Sequence, residues 1–174
     1  VQLSAQELGQ LVLHYVNKYG AKGFLFSDDD FLVGSKRGLD RVKEFCNIIL
    51  DYKKTGQIPM ETRFSSQTRV ADFLIGKNKT VNRELMQLMR NTGWLSCSLG
   101  IETFSDKMFK VPCINKVGIN SMDCKVVTDA MIEIGIVPQV NIILGIPEYT
   151  PEELMKTIQT AVEYIMKGCD LSLS

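Results

Sequence analysis

The chain has 174 residues, with 20 basic and 20 acidic side chains and a formal net charge of zero. That balance removes the electrostatic case for nucleic acid or a membrane surface as a partner, and no apolar run approaches the roughly 18 residues of a membrane span. The length is that of roughly one domain, taken as a single unit over 1–174, and is enough to bury a sizeable core.

The opening Val1-Gln-Leu-Ser-Ala-Gln-Glu7 has neither the basic region nor the apolar run of a signal peptide. Cys46, Cys97, Cys113, Cys124 and Cys169 form no CxxC or CxxxCxxC group. They read as reduced thiols of a cytoplasmic protein, mostly acting as small buried hydrophobes, and not as a metal site.

Ser4-Ala-Gln-Glu7 is a capping box that opens a helix. Leu8, Leu11, Val12, Tyr15, Val16 and Tyr19 continue it at helical spacing, and Gly20 stops it. His14, the only histidine, lies off that apolar stripe and reads as an exposed helix residue. Read so, His14 has no catalytic role, which leaves no His-based triad, and a single histidine cannot make an HExxH zinc site. Gly23 to Ser27 reads as a short buried strand running into Asp28-Asp29-Asp30, three carboxylates that could take a hard cation or a ligand amine, or simply form a solvated loop with a helix-capping Asp. A helix follows from about Arg37 to Lys54, with Leu39, Val42, Cys46, Ile49 and Leu50 inward.

Met60 to Gln67 is the next strand. Arg63, Ser65 and Gln67 share a face, and Arg69 follows at the end, where a guanidinium can grip a carboxylate or phosphate or join a surface ion pair. Gly76 to Lys79 reads as a polar loop. Asn82 caps a short helix that ends at Gly93. Leu95, Cys97 and Leu99 then alternate with Ser96 and Ser98, so the stretch is a strand, and it turns at Gly100 to deliver Glu102. Ser105 to Asn120 is irregular, with one helical turn at most, and Ser121 to Ile134 is helical. Val140, Ile142, Ile143 and Leu144 make a near-continuous apolar strand, as expected when both faces are covered. Thr150, Pro151 and Glu153 open the last helix, and Asp170 starts a final strand.

Strand and helix alternate throughout, about five of each, at the length of βαβ crossovers. The expected fold is α/β with a parallel sheet. Periodicity does not separate a doubly wound sheet from a partial TIM-type barrel. No GxGxxG follows a strand and no GxxxxGK[ST] occurs, which argues against dinucleotide and P-loop sites. In either parallel architecture ligands gather at the carboxyl ends of strands, which makes Glu102 a site candidate.

Phe24-Leu-Phe-Ser-Asp28-Asp-Asp-Phe31, Arg69, Asn82-Arg-Glu-Leu-Met, Leu99-Gly-Ile-Glu102-Thr and Asn141-Ile-Ile-Leu-Gly145-Ile-Pro-Glu148-Tyr-Thr150 occur in that order. Together they resemble the radical S-adenosylmethionine (SAM) superfamily, in the branch that often carries an upstream cobalamin-binding domain. The resemblance implies a (β/α)₆ partial barrel holding a [4Fe–4S] cluster and SAM at the strands' carboxyl ends. In the family, a 5′-deoxyadenosyl radical abstracts hydrogen from a substrate, and some cobalamin-dependent members methylate instead. By position, Glu102 resembles the residue contacting the ribose or methionine part of SAM, and Asn141 to Glu148, with Gly145, the adenine-contact motif. Asn141 stands where the family usually has Gly. Asp28 and Asp29 lie where the family binds the methionine amine, with Asp-Asp-Asp in place of Gly-Gly-Glu.

The family's CxxxCxxC triplet is absent, and the five cysteines cannot replace it by spacing. The resemblance therefore implies a core whose first strand and cluster loop lie upstream, so this chain alone is not expected to turn over. A sheet without its first strand has an open edge, and self-association along it is expected; a clean monomer in size-exclusion chromatography would count against that. Two other readings are a non-catalytic SAM- or nucleotide-binding module and an unrelated barrel enzyme using paired carboxylates such as Glu102 and Asp28. The substrate, a small molecule by resemblance, is not legible.

Overall fold

In the first helix, α1 (Ala5–Tyr19), the Ser4 hydroxyl accepts from the Glu7 N–H while the Glu7 carboxylate accepts from the Ser4 N–H, and Gly20 closes the helix at a φ of 65°. The computed structural model describes residues 2–116 and 118–173. After α1 come β1 (Gly23–Phe26), α2 (Lys36–Lys54), β2 (Arg63–Thr68), the short strands β3 (Leu74–Ile75) and β4 (Thr80–Val81), α3 (Arg83–Thr92), β5 (Trp94–Glu102), α4 (Ser121–Ile134), β6 (Val137–Ile142), α5 (Pro151–Met166) and β7 (Asp170–Leu173). Two 3₁₀ turns, Val70–Phe73 and Met108–Lys110, lie between them.

The main sheet has five strands in the order β1-β2-β5-β6-β7, every pair parallel. That order never reverses. A doubly wound sheet reverses at its switch point, so the singly wound order decides between the two architectures in favour of the partial barrel. The helices pack in series, α1 on α2, α2 on α3 and α3 on α4, which places them along one side of the sheet. The helix-facing residues Phe64, Cys97, Leu99, Ile101, Val140 and Ile142 are all buried. Around Trp94, the rings of Phe26, Phe31, Phe45 and Phe64 pack at centroid distances of 5.2–6.0 Å, and the Trp94 indole donates to the Ser66 hydroxyl at 3.1 Å.

The other face is polar. Ser65 and Ser96 hydrogen-bond across β2 and β5 at 2.9 Å, and the Asn141 amide donates to the Ser98 hydroxyl across β5 and β6 at 3.0 Å.

Four expectations change. β1 is not buried: it is an edge strand, and Leu25 is 70% exposed. β2 starts at Arg63, because Met60 to Thr62 form a turn. β6 is not apolar on both faces; buried Pro138, Val140 and Ile142 alternate with half-buried Gln139 and Asn141, and Ile143 and Leu144 lie beyond its end. The loop at Gly76–Lys79 is the turn of an antiparallel hairpin, β3 with β4. Lys79 ties that hairpin to Asp123 at the start of α4 at 2.6 Å.

Candidate functional site

The carboxyl ends of β2, β5 and β6 meet at a cavity of about 170 Å³ lined by Asp29, Gln67, Thr68, Arg69, Ser98, Gly100, Glu102, Lys116 and Asn141. Four of the residues expected from sequence, Asp29, Arg69, Glu102 and Asn141, therefore share one space. Asp28 is exposed outside it, and so are Gly145 and Glu148 on the segment after β6. The paired-carboxylate arrangement of Glu102 with Asp28 is thus replaced by one of Glu102 with Asp29.

Glu102 is held by its backbone. The β5–β6 register skips between Gly100 and Glu102, so that Gly100 faces Asn141 and Glu102 faces Ile142. At this bulge Glu102 takes a φ of 70°, a left-handed conformation that costs a non-glycine residue about 1–3 kcal/mol. Its carbonyl accepts from the Ile143 N–H at 2.9 Å, which ties the ends of β5 and β6 together. The bulge aims the carboxylate back over Gly100: a Cβ there would sit 2.6 Å from the Glu102 Oε1 and 3.2 Å from the Lys116 Nζ. Only glycine leaves that space free. Lys116 Nζ lies 3.5 Å from the Glu102 Oε1, and both side chains are about one-fifth exposed.

Arg69 bridges two aspartates, at 2.7 Å to Asp30 and 3.1 Å to Asp72. Its hydrogen bond to Asp72 raises its pKa above the ordinary arginine value. Burial raises Asp30 above the ordinary aspartate value and the neighbouring Asp72 adds to this, against the Val33 N–H and Arg69. The three consecutive aspartates accordingly separate in role. Asp30 is a structural partner of Arg69 and of the Val33 N–H, Asp29 faces the cavity, and Asp28 faces solvent. Asp30 caps no helix; the N-cap of α2 is Ser35.

The cysteines contribute nothing to this cavity. Burial pushes the thiols of Cys46, Cys97 and Cys124 up to about 12 and that of Cys169 up to about 11, while Cys113 is exposed. Among the described residues no three His, Cys, Asp or Glu side chains lie together as a metal site. His14 is an exposed residue of α1 packed edge-on to Tyr15 and Tyr19.

No protein-family model and no curated protein matches the sequence. Solved structures do. The radical SAM methyltransferase TsrM from Kitasatospora setae, with tryptophan and the SAM analogue aza-SAM bound, matches 99% of this chain at a TM-score of 0.79 and 14% identity. The fold is that of a radical SAM barrel. The cobalamin-dependent radical SAM enzyme OxsB, with aqua-cobalamin and SAM bound, matches 90% of the chain at a TM-score of 0.73 and 15% identity. Methylornithine synthase, PylB, matches all of it at 0.66 and 10% identity. The chain spans 30% of the TsrM chain, 22% of OxsB and 44% of PylB. Identities this low carry the radical SAM barrel fold and no residue's role.

The cavity's donor set fits SAM. SAM presents an ammonium, a carboxylate and a ribose diol, and the lining offers carboxylates in Asp29 and Glu102 and cations in Arg69 and Lys116. The volume is below the 300–1,000 Å³ of a typical small-molecule pocket, so it suits one end of such a ligand. Beyond it, Gly145 is exposed, with no atom within 4 Å of where a Cβ would stand. Lys116 is the residue sequence reasoning missed. It sits in the irregular Ser105–Asn120 stretch, where no period gives a residue a direction.

Proposed function

We propose that this chain is the SAM-binding core of a radical SAM enzyme. The observation that supports this best is the meeting of Asp29, Arg69, Glu102 and Asn141 in one cavity at the carboxyl ends of three parallel strands. Arg69 and Lys116 hold the methionine carboxylate, Asp29 takes its ammonium, and Glu102 accepts from the ribose hydroxyls. Asn141, fixed by Ser98, and the open backbone at Gly145 receive the adenine, with Glu148 on the rim. SAM, together with a [4Fe–4S] cluster whose ligands lie outside this chain, supplies the radical or methyl-transfer chemistry. Cobalamin joins it if the parent protein follows OxsB, and the substrate is a small molecule.

The test uses the full-length protein, reconstituted anaerobically with iron and sulfide. A reduced-cluster EPR signal that changes when SAM is added is the expected result. Glu102→Ala should then weaken SAM binding at least tenfold, the equivalent of about 1.4 kcal/mol, because two charge-assisted hydrogen bonds are lost. A folded protein that assembles no cluster, or one whose spectrum ignores SAM, would overturn the proposal in favour of a binding module without radical chemistry.

A further inference from the structure

Asp72 does not line the cavity, yet its carboxylate is the most heavily bonded near it. It sits in the 3₁₀ turn after β2, with its side chain 2% exposed. Oδ1 accepts from the Gly34 N–H at 3.0 Å and from the Arg69 Nη2 at 3.1 Å. Oδ2 accepts from the Arg69 N–H at 3.1 Å, the Thr68 hydroxyl at 3.3 Å and the Arg69 Nε at 3.4 Å. Capping a turn of four residues needs one acceptor. Five donors from two separate segments, the loop after β1 and the end of β2, are more than a cap requires. A carboxylate buried to this degree is tolerated only when it is paired and bonded.

The bonds fix the direction of one side chain. Arg69 is gripped along its Nε and Nη2 by Asp72 and at Nη2 by Asp30, at 2.7 Å. Among the described residues its Nη1 has no hydrogen-bond partner, and the side chain is 55% exposed. One edge of the guanidinium is anchored, and Arg69 lines the cavity. The approach is so close that a Cβ on Gly34 would lie 2.2 Å from the Asp72 Oδ1.

We infer that Asp72, assisted by Asp30, is a positioning residue that sets the affinity for a ligand carboxylate by holding Arg69 with its free edge turned into the site. This rests on the reading of the cavity as a SAM site. A positioning role differs from a merely structural one in two ways: it is seen only with ligands that use Arg69, and it disappears once Arg69 is gone.

The test measures binding of SAM and of decarboxylated SAM to the reconstituted full-length protein by equilibrium dialysis. It compares wild type, Asp72→Asn, Arg69→Ala and the double variant. The expected result is a loss of about tenfold in SAM affinity for Asp72→Asn, less than twofold with decarboxylated SAM, and no further loss when Asp72→Asn is added to Arg69→Ala. Equal losses for both ligands, or a loss that persists in the Arg69→Ala background, would overturn the inference and leave the SAM reading intact. A wild type that binds neither ligand would sink the SAM reading, and the inference with it. Should Asp72→Asn fail to fold, Asp30→Asn, which contacts the same Nη2 from a more exposed position, must give the same ligand-selective loss or the inference fails.

Discussion

Lys53→Met is expected to destabilise the protein by about 3 kcal/mol and to lower its melting temperature by about 10 °C, taking about 2–4 °C per kcal/mol for a chain of this size. Lys53 is the next-to-last residue of α2, where a lysine ordinarily lies in solvent beside the helix's free carbonyls. Here it is 5% exposed. Its ammonium donates to the carbonyls of Thr92 at 2.7 Å, Thr62 at 2.8 Å and Met60 at 3.2 Å. Those acceptors belong to the end of α3 and to the turn that leads into β2, so one side chain joins three segments. Arg63 also donates to the Met60 and Thr62 carbonyls, which keep a partner when Lys53 is replaced. Among the described residues Thr92 O has no such second donor, so it is left buried and unpaired, at about 1–3 kcal/mol. The lost bonds to a charged donor add to that. Relief from burying the ammonium offsets part of the sum, and methionine keeps the packing of the stem. Urea denaturation monitored by the fluorescence of Trp94, which lies in the adjacent core, gives the number. An unchanged or raised midpoint would mean that the carbonyls find water or new donors and that Lys53 is no keystone.

Lys53 also marks where the sequence stopped being legible. A lysine at the end of an amphipathic helix carries the same local pattern whether it is solvated or buried. Its burial depends on the turn at Pro59–Thr62, which no period describes. The helix limits, by contrast, were readable because their causes are local. Ser4, Asn82 and Thr150 cap from within three residues, and Gly20, Gly93 and Gly135 take the left-handed conformation that ends each helix. The β3–β4 hairpin was not readable. Each strand is two residues long, and what holds it is the contact between Lys79 and Asp123, 44 positions away.

The site divides along the same line. Glu102 was legible because an alternating strand ending in Gly-x-Glu has one place to put the carboxylate. Its φ of 70° was not, since the bulge arises from pairing with β6. Of the three consecutive aspartates, nothing local distinguishes one from another. Arg69 and Thr68 approach from the end of the next strand and commit Asp30, and that leaves Asp29 at the cavity. Asp72 gave no signal in the sequence because all its significance comes from who donates to it.

Gly38→Ala should be destabilising by about 2 kcal/mol and should loosen the proposed SAM site, contrary to the usual rule. Within a helix an alanine is better than a glycine by about 1 kcal/mol, and Gly38 lies in the first turn of α2, its N–H bonded to the Ser35 hydroxyl at 3.1 Å. The surroundings reverse the sign. A Cβ on Gly38 would stand 2.3 Å from the Val33 carbonyl oxygen and 2.4 Å from that of Leu32, and 3.0 Å from the Val33 Cβ. Two of these three atoms are backbone, and they cannot rotate away as the end of a side chain can. Val33 is already turned to a φ of 46°, so the segment has little slack. The added methyl group must push the 31–34 loop outward or tilt the start of α2, an overpacking cost of about 1–3 kcal/mol. The loop is not a free surface. Phe31 is fully buried against the Trp94 cluster, and the Gly34 N–H is one of the donors on Asp72. Displacing it withdraws a bond from the carboxylate bonded to Arg69, so on the proposed reading the stability loss and a several-fold weakening of SAM binding in the full-length protein should appear together. A stabilised Gly38→Ala variant with unchanged affinity would show that the loop yields at no cost and that the link from α2 to the site is not rigid.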